Sequence, residues 1–269
     1  MSGIASLIFA AGKGSRMIGY EGNKTLLPLV PGNSRFEGTH PLIREVLDNL
    51  PPGPRGIVVG HRAEDMRKAL SAPGITFIDQ PVANGTGGAL LAAGDFIRSV
   101  DSDCVVITMG DVPLIRAATY DKLLGMLRTC DMALLAFEPK QRAQYGMLEM
   151  EGDAVARIVE WKYWSQFPAE RREKLRYCNA GVYAANRKIL LSYMEKLENQ
   201  PHEVQKERDG KWTTIREYFL TDLAEMMHGD GLIVGMAAAS EDEVTGVDTP
   251  ESLEAVQKIY AEKFKTSTR

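Results

Sequence analysis

Short apolar runs of strand length alternate with segments of helical period over most of the chain. That pattern predicts an α/β architecture with a mostly parallel sheet covered by helices. Strands are expected over residues 4–9, 56–59, 75–78, 104–108 and 132–137, and helices over 41–50, 63–70, 87–97 and 120–127. After Phe137 the texture changes. YGMLEMEGDAVARIVE predicts two strands around a Gly-Asp turn, and CNAGVYAAN predicts a strand ending at a helix start. A helix over 187–197 follows, then PHEVQKERDGKW, whose polarity predicts an exposed loop or insertion. Residues 233–238 predict a last strand, and DTPESLEAVQKIYAEKF opens with Asp-Thr-Pro as an amphipathic helix does. No Pro-, Gly- or Ser-rich linker divides the chain, so residues 1–269 are expected to form a single domain.

Composition narrows the class. The chain is long enough for one large α/β domain, and its net charge of -4 gives no general attraction to nucleic acid or to an anionic membrane. No apolar run approaches the roughly 20 residues of a spanning helix, and the N-terminus has no basic region before its apolar run, so a cytoplasmic location is expected. Cys104, Cys130 and Cys178 are odd in number and far apart, which suits buried thiols in a reducing compartment. The four histidines form no pair with metal-ligand spacing.

The chemistry concentrates where the first strand meets AAGKGSRM. Ala10, Ala11, Gly12 and Gly14 offer backbone N–H groups at close approach, and Lys13 and Arg16 add positive charge, with Arg suited to gripping phosphate oxygens in pairs. The spacing is neither G-x-x-x-x-G-K-[ST] nor a G-x-G-x-x-G followed by an acidic residue at the end of the next strand. Taken alone, this is also what an ordinary strand–loop turn looks like.

FAAGKGSRM, however, resembles the L-A-A-G-x-G-T-R-M signature of the sugar-nucleotide pyrophosphorylases, and most of all the uridylyltransferase half of the bacterial N-acetylglucosamine-1-phosphate uridyltransferases. The resemblance continues to the last predicted helix. It implies a Rossmann-like, doubly wound, mixed but mostly parallel sheet of the nucleotide-diphospho-sugar transferase type. The nucleotide-binding half would be 1–115 and the sugar-phosphate-binding half 116–269. It also implies attack of a sugar 1-phosphate on the α-phosphorus of a nucleoside triphosphate, UTP by this likeness, with release of pyrophosphate. A phosphate monoester is mostly dianionic at neutral pH, so this reaction asks for cations and Mg²⁺ more than for a general base.

Residue by residue, Lys24 in GNKTLLPL matches the family's lysine, though the usual preceding proline is missing, and it is expected at the α-phosphate with Arg16 toward the pyrophosphate. Gln80, Gly85 and Thr86 match Q-x-x-x-x-G-T-[GA], and the Gln80 amide presents a donor and an acceptor suited to uracil or thymine. Asp111 in GDVPL and Asp248 in GVD match the metal-binding positions; the bland alternatives are an Asx turn before Pro113 and a helix N-cap. Gly146, Glu160 and Lys162, with Asn179 and Thr221, match the family's sugar-phosphate segments. Met109 and Phe219 stand where hydroxyl-bearing rings are usual, which predicts a drier acceptor pocket. No hexapeptide repeat is present, so the acetyltransferase activity of bacterial relatives is not carried over. Other readings are transfer to a different phosphomonoester, such as a molybdopterin or an alcohol phosphate, and a non-catalytic regulator that binds nucleotide sugars. The oligomeric state is left open.

Overall fold

Strand β1 (Ile4–Ala10) lies at the centre of the sheet because both of its faces are apolar: Leu7 and Phe9 point into one core layer, Ile8 and Ala10 into the other. A strand buried on both sides reads as a continuous apolar run, which is how parallel strands are recognised. The computed structural model describes residues 3–71, 73–208 and 211–267. After β1 come a hairpin of β2 (Pro28–Ser34) and β3 (Glu37–Pro41), helix α1 (Leu42–Asn49), β4 (Arg55–Val59), α2 (Ala63–Ala69), β5 (Ile75–Asp79), α3 (Gly85–Ala92), α4 (Gly94–Ser99) and β6 (Cys104–Met109). The second half holds α5 (Ala117–Met126), β7 (Met132–Phe137), the hairpin β8 (Met147–Glu151) and β9 (Ala154–Val159), α6 (Trp161–Trp164), α7 (Ala169–Lys174), β10 (Cys178–Asn186) and α8 (Arg187–Glu198). It ends with a hairpin of β11 (His202–Arg208) and β12 (Lys211–Glu217), then α9 (Asp222–Gly229), β13 (Val234–Ala238) and α10 (Pro250–Ser267).

The main sheet runs β13-β7-β10-β6-β1-β4-β5, with β8 and β9 attached beside β10. All of its neighbours along that path pair in parallel except β10, which runs antiparallel to β6 and to β7. The chain moves outward from β1 through β4 and β5, then returns to lay β6 on the other side of β1. This reversal opens a crevice beyond the carboxyl ends of β1 and β6, the place where open α/β sheets bind ligands. Helices α3, α4, α8 and α9 cover one face and α1, α2 and α5 the other.

The expected strands are present, and four features differ from the sequence expectation. Residues 28–41 form a hairpin, invisible to periodicity because it carries Pro28, Pro31 and Gly32. The single helix expected over 87–97 begins earlier, at Gly85, and breaks at Ala93 into two short helices. Residues 161–174 carry two further short helices. The polar stretch after Gln200 is a paired hairpin, in register from His202 opposite Glu217 to Arg208 opposite Lys211, although Asp209 and Gly210 lie outside the described residues. A two-stranded ribbon with polar side chains has no alternating pattern to betray it.

Helix α10 closes the fold. Leu253, Val256 and Tyr260 pack against Leu27 and Leu29 of the first hairpin region and against Met17 of the Gly-rich loop. The segment leading into it is tied down by Glu243, nearly fully buried, which accepts hydrogen bonds from the Arg116 backbone N–H and the Thr119 hydroxyl and pairs with the Arg116 guanidinium at 2.9 Å. Burial pushes the Glu243 carboxyl up, but the Arg116 and Thr119 hydrogen bonds outweigh it and hold it below the usual range. A carboxyl depressed in the folded state adds stability above its unfolded pKa, and that contribution is lost as pH falls through the folded value. Thermal melts from pH 7 to pH 3 should therefore show a shallower acid decline for Glu243→Gln than for the wild type, and identical slopes would refute this role.

Candidate active site

Four charged side chains from four separate segments meet at the mouth of the crevice. The Lys24 ammonium pairs with Asp111 and, at 2.6 Å, with Asp248 Oδ1, while the other oxygen of Asp248 takes the Arg16 guanidinium at 2.9 Å. Burial works against the Lys24 charge, yet the two carboxylates more than offset it and raise its pKa above the ordinary lysine value. Asp111 follows directly after β6 and the Gly-rich loop directly after β1, and these two strands are adjacent and parallel. The Val247 N–H donates to the Asp111 carbonyl, binding the two carboxylate segments to each other.

Local chemistry explains each placement. Asp248 does not cap α10: Thr249 does so, its hydroxyl accepting from the Ser252 N–H while the Ser252 hydroxyl accepts from the Thr249 N–H. That reciprocal pair is a capping box with Ser in the place of Glu, and it leaves the Asp248 carboxylate turned to the site. Gly14 adopts a left-handed conformation, φ 62°, and a side chain there would press on the Lys24 stem at 3.4 Å. Lys24 begins a single 3-10 turn, Lys24–Leu26, capped by the buried Asn23, whose side-chain oxygen accepts from both the Thr25 N–H and the Thr25 hydroxyl. The Asn23 amide nitrogen donates to the carbonyls of Ala10 and His61. Asn23 thus clips the lysine turn to the ends of β1 and β4, a role that a lone Asn in GNKT does not announce.

Beside this cluster lies a cleft of about 320 Å³ walled by Ala10, Ala11, Gly12, Lys13, Lys24, Gln80, Gly85, Thr86, Asp111 and Glu217. Most residues expected at the nucleotide are therefore together, with Gly14, Arg16 and Asp248 at its outer edge. Two details add to the sequence reading. The Gln80 amide nitrogen is spent on the Asn84 side chain and the Gly85 carbonyl, at 3.0 and 3.1 Å. The Gly85–Gly87 run is demanded by packing: a Cβ on Gly85 would lie 2.3 Å from the Tyr218 carbonyl oxygen, and the Gly87 N–H donates to that same oxygen.

A larger cavity, about 920 Å³, continues from the cleft and shares Thr86 and Met109 with it. Glu160, Lys162, Asn179 and Thr221 all line it, and Gly146 sits behind Glu160, where a Cβ would meet Ile158 at 3.0 Å. The Thr221 hydroxyl donates to Glu160. Asn179 also shapes the backbone. Its oxygen accepts from the Gly181 N–H and its nitrogen donates to the Tyr183 hydroxyl, forming the bulge at which β10 shifts register against β7. Met109 and Phe219 line the cavity as the sequence suggested, joined by Trp161, Tyr163 and Phe167, which it did not single out. Trp164, buried, donates its indole N–H to the Tyr145 carbonyl and so fixes the turn that presents Trp161, Lys162 and Tyr163. The Lys162 ammonium rests 4.7 Å from the centre of the Tyr163 ring.

Two carboxylates converging on one cation form a donor set that suits Mg²⁺, which commonly takes one or two carboxylates and completes its shell with phosphate and water oxygens. Among the described residues no cluster of three or more His, Cys, Asp or Glu is placed to hold a metal by itself. No helix among them is long and apolar enough to cross a membrane.

A Gly-rich loop, a lysine and two carboxylates thus lie together at the switch point of a doubly wound mixed sheet. The chain belongs to the family of MobA-like NTP transferase domains, which it matches over residues 6–203. It is 30% identical over 261 residues to the bifunctional protein GlmU of Ruegeria sp. strain TM1040, an alignment covering 95% of this chain and 52% of that one. It thus spans about half the length of the curated relatives it matches. Its fold is shared with the uridine diphosphate N-acetylglucosamine pyrophosphorylase of Trypanosoma brucei (TM-score 0.70, 14% identity, 94% of this chain and 64% of that one). It is shared as well with a CMP:2-keto-3-deoxy-manno-octonic acid synthetase solved with CTP (TM-score 0.64, 18% identity, 97% and 100%).

Asn23→Ala should cost about 2–3 kcal/mol, because it leaves several buried backbone groups without partners. A melting temperature lowered by several degrees is the expected result; an unchanged one would remove Asn23 as the clip.

Proposed function

We propose that this enzyme joins a nucleoside triphosphate, UTP by preference, to a sugar 1-phosphate, with N-acetylglucosamine 1-phosphate the first candidate, releasing pyrophosphate with the help of Mg²⁺. The observation that carries the reading is the convergence of Arg16, Lys24, Asp111 and Asp248 on one point at the carboxyl ends of β1 and β6. The 1–115 half supplies the nucleotide site and the 116–269 half the acceptor site, with the two meeting at Thr86 and Met109.

The attacking oxygen is already ionised at neutral pH, so the barrier lies in bringing two polyanions together and in the charge that gathers on the departing pyrophosphate. Lys24 neutralises the α-phosphate, and Arg16 and Lys13 the leaving group. Asp111 and Asp248 would hold the metal, which would supply charge stabilisation on the phosphates. Backbone N–H groups from Ala10 to Gly14 receive phosphate oxygens. Lys162 reaches the acceptor's phosphate, and Glu160 and Thr221 its hydroxyls.

Base reading follows from the commitment of the Gln80 amide nitrogen. Its carbonyl oxygen accepts from the N3–H that uracil and thymine carry and cytosine lacks. The direct test is a panel of nucleoside triphosphates against phosphomonoesters, read as pyrophosphate release. Sugar 1-phosphates should turn over, and alcohol or pterin phosphates should not.

Two variants probe the roles. Asp111→Ala should lower kcat on the order of 10² or more in a protein that still folds; activity within a few-fold of wild type would remove Asp111 from the metal. Gln80→Ala should narrow the kcat/KM gap between UTP and CTP mainly through KM, since the base lies away from the reacting phosphorus. A wild-type enzyme indifferent to the base would sink that assignment.

A further inference from the structure

The same four side chains that suit phosphate and metal are fully engaged with each other. Both oxygens of Asp248 carry a cation, and Lys24 bridges to Asp111 as well. We propose that Lys24, assisted by Arg16, bars free divalent metal from the two carboxylates and yields them only when phosphates take its charge, so that metal enters together with the nucleotide. The inference rests on reading the site as one for phosphate and metal, and goes beyond it to the order in which the charges are exchanged.

The argument is one of charge and burial. Two cations and two carboxylates sum to zero, so the cluster is neutral by itself. The Lys24 side chain is 12% exposed and Asp111 19%, which makes an unpaired charge at either position costly. A dication arriving alone would evict the ammonium and leave it buried without a partner. A polyphosphate arriving alone would draw off Lys24 and Arg16 and leave two carboxylates facing each other beside new negative charge. When both arrive, every charge exchanges one partner for another of the same sign, and none is stranded. The ammonium cannot withdraw far, because its stem lies against Gly14 and its turn is clipped by Asn23. It can only turn from the carboxylates toward the adjoining Gly-rich loop, where the phosphates are expected.

Mn²⁺ alone, titrated into nucleotide-free protein and followed by electron paramagnetic resonance, tests the proposal without any turnover. Lys24→Met keeps the stem and removes the charge; it should bind Mn²⁺ about tenfold tighter than wild type or better, within the usual span of coupling between sites. Lys24→Arg keeps a cation and should stay as weak as wild type. Arg16→Met, in a side chain 67% exposed and outside the core, should gain in the same direction by less. Adding Asp111→Asn to Lys24→Met should abolish the gain. The proposal is overturned if Lys24→Met and Arg16→Met bind no tighter than wild type, if Lys24→Arg gains as much as Lys24→Met, or if the gain survives Asp111→Asn. A nucleotide panel without turnover would unseat the proposed reaction and leave these Mn²⁺ results standing.

Discussion

The salt bridges from Lys24 to Asp111 and Asp248 tie together segments that lie up to 224 residues apart, and much of the surrounding architecture serves to hold them. Asn23 secures the lysine turn to two strand ends. The Val247–Asp111 backbone bond joins the two acidic loops, and the Thr249–Ser252 capping box frees Asp248 from the helix terminus. Glu243 anchors the approach to α10, whose apolar face in turn presses on Met17 of the Gly-rich loop. Each device uses an uncharged or well-paired group to fix the position of a charged one. That division suits electrostatic catalysis, which works through dipoles and charges set in place before the reaction begins.

The larger cavity follows a different logic. There aromatic side chains such as Trp161, Tyr163 and Phe219 alternate with charged ones such as Arg157, Lys162 and Asp222, and the polar groups are partly bound to each other, as Thr221 is to Glu160 and Asn179 to the bulge of β10. Such a wall offers both flat apolar surface and charged groups to whatever it holds. The two cavities are joined through the glycines of α3, which allow the Tyr218–Phe219 segment to lie directly on the helix that borders the smaller cleft.

The central strands, the flanking helices and nearly every residue of the charge cluster were legible as pattern and motif. Strands such as β1 and β6 are buried on both faces and announce themselves as apolar runs. What stayed hidden depends on distance or on context. That Lys24, Asp111 and Asp248 would engage each other is a fact of folding across the whole chain. Asn23 is a structural clip only because two carbonyls from β1 and the end of β4 lie beside it. The hairpins at 28–41 and 202–217 lack alternation, one through proline and glycine, the other through polarity on both faces. Gln80 and Asn179 were recognised, but the share of their amides already consumed by neighbouring backbone could be seen only in three dimensions.

The shared wall between the two cavities has a consequence for how such an enzyme can diverge. Thr86 and Met109 face both cavities, and Thr86 also accepts a hydrogen bond from the Leu220 N–H, so the wall of the larger cavity is tied to the helix that borders the smaller one. A substitution at either residue alters both cavities at once. The outer walls, around Trp161 and Tyr163 in one cavity and around Gln80 in the other, can change one at a time, so the freedom to vary lies at the periphery and the constraint at the partition.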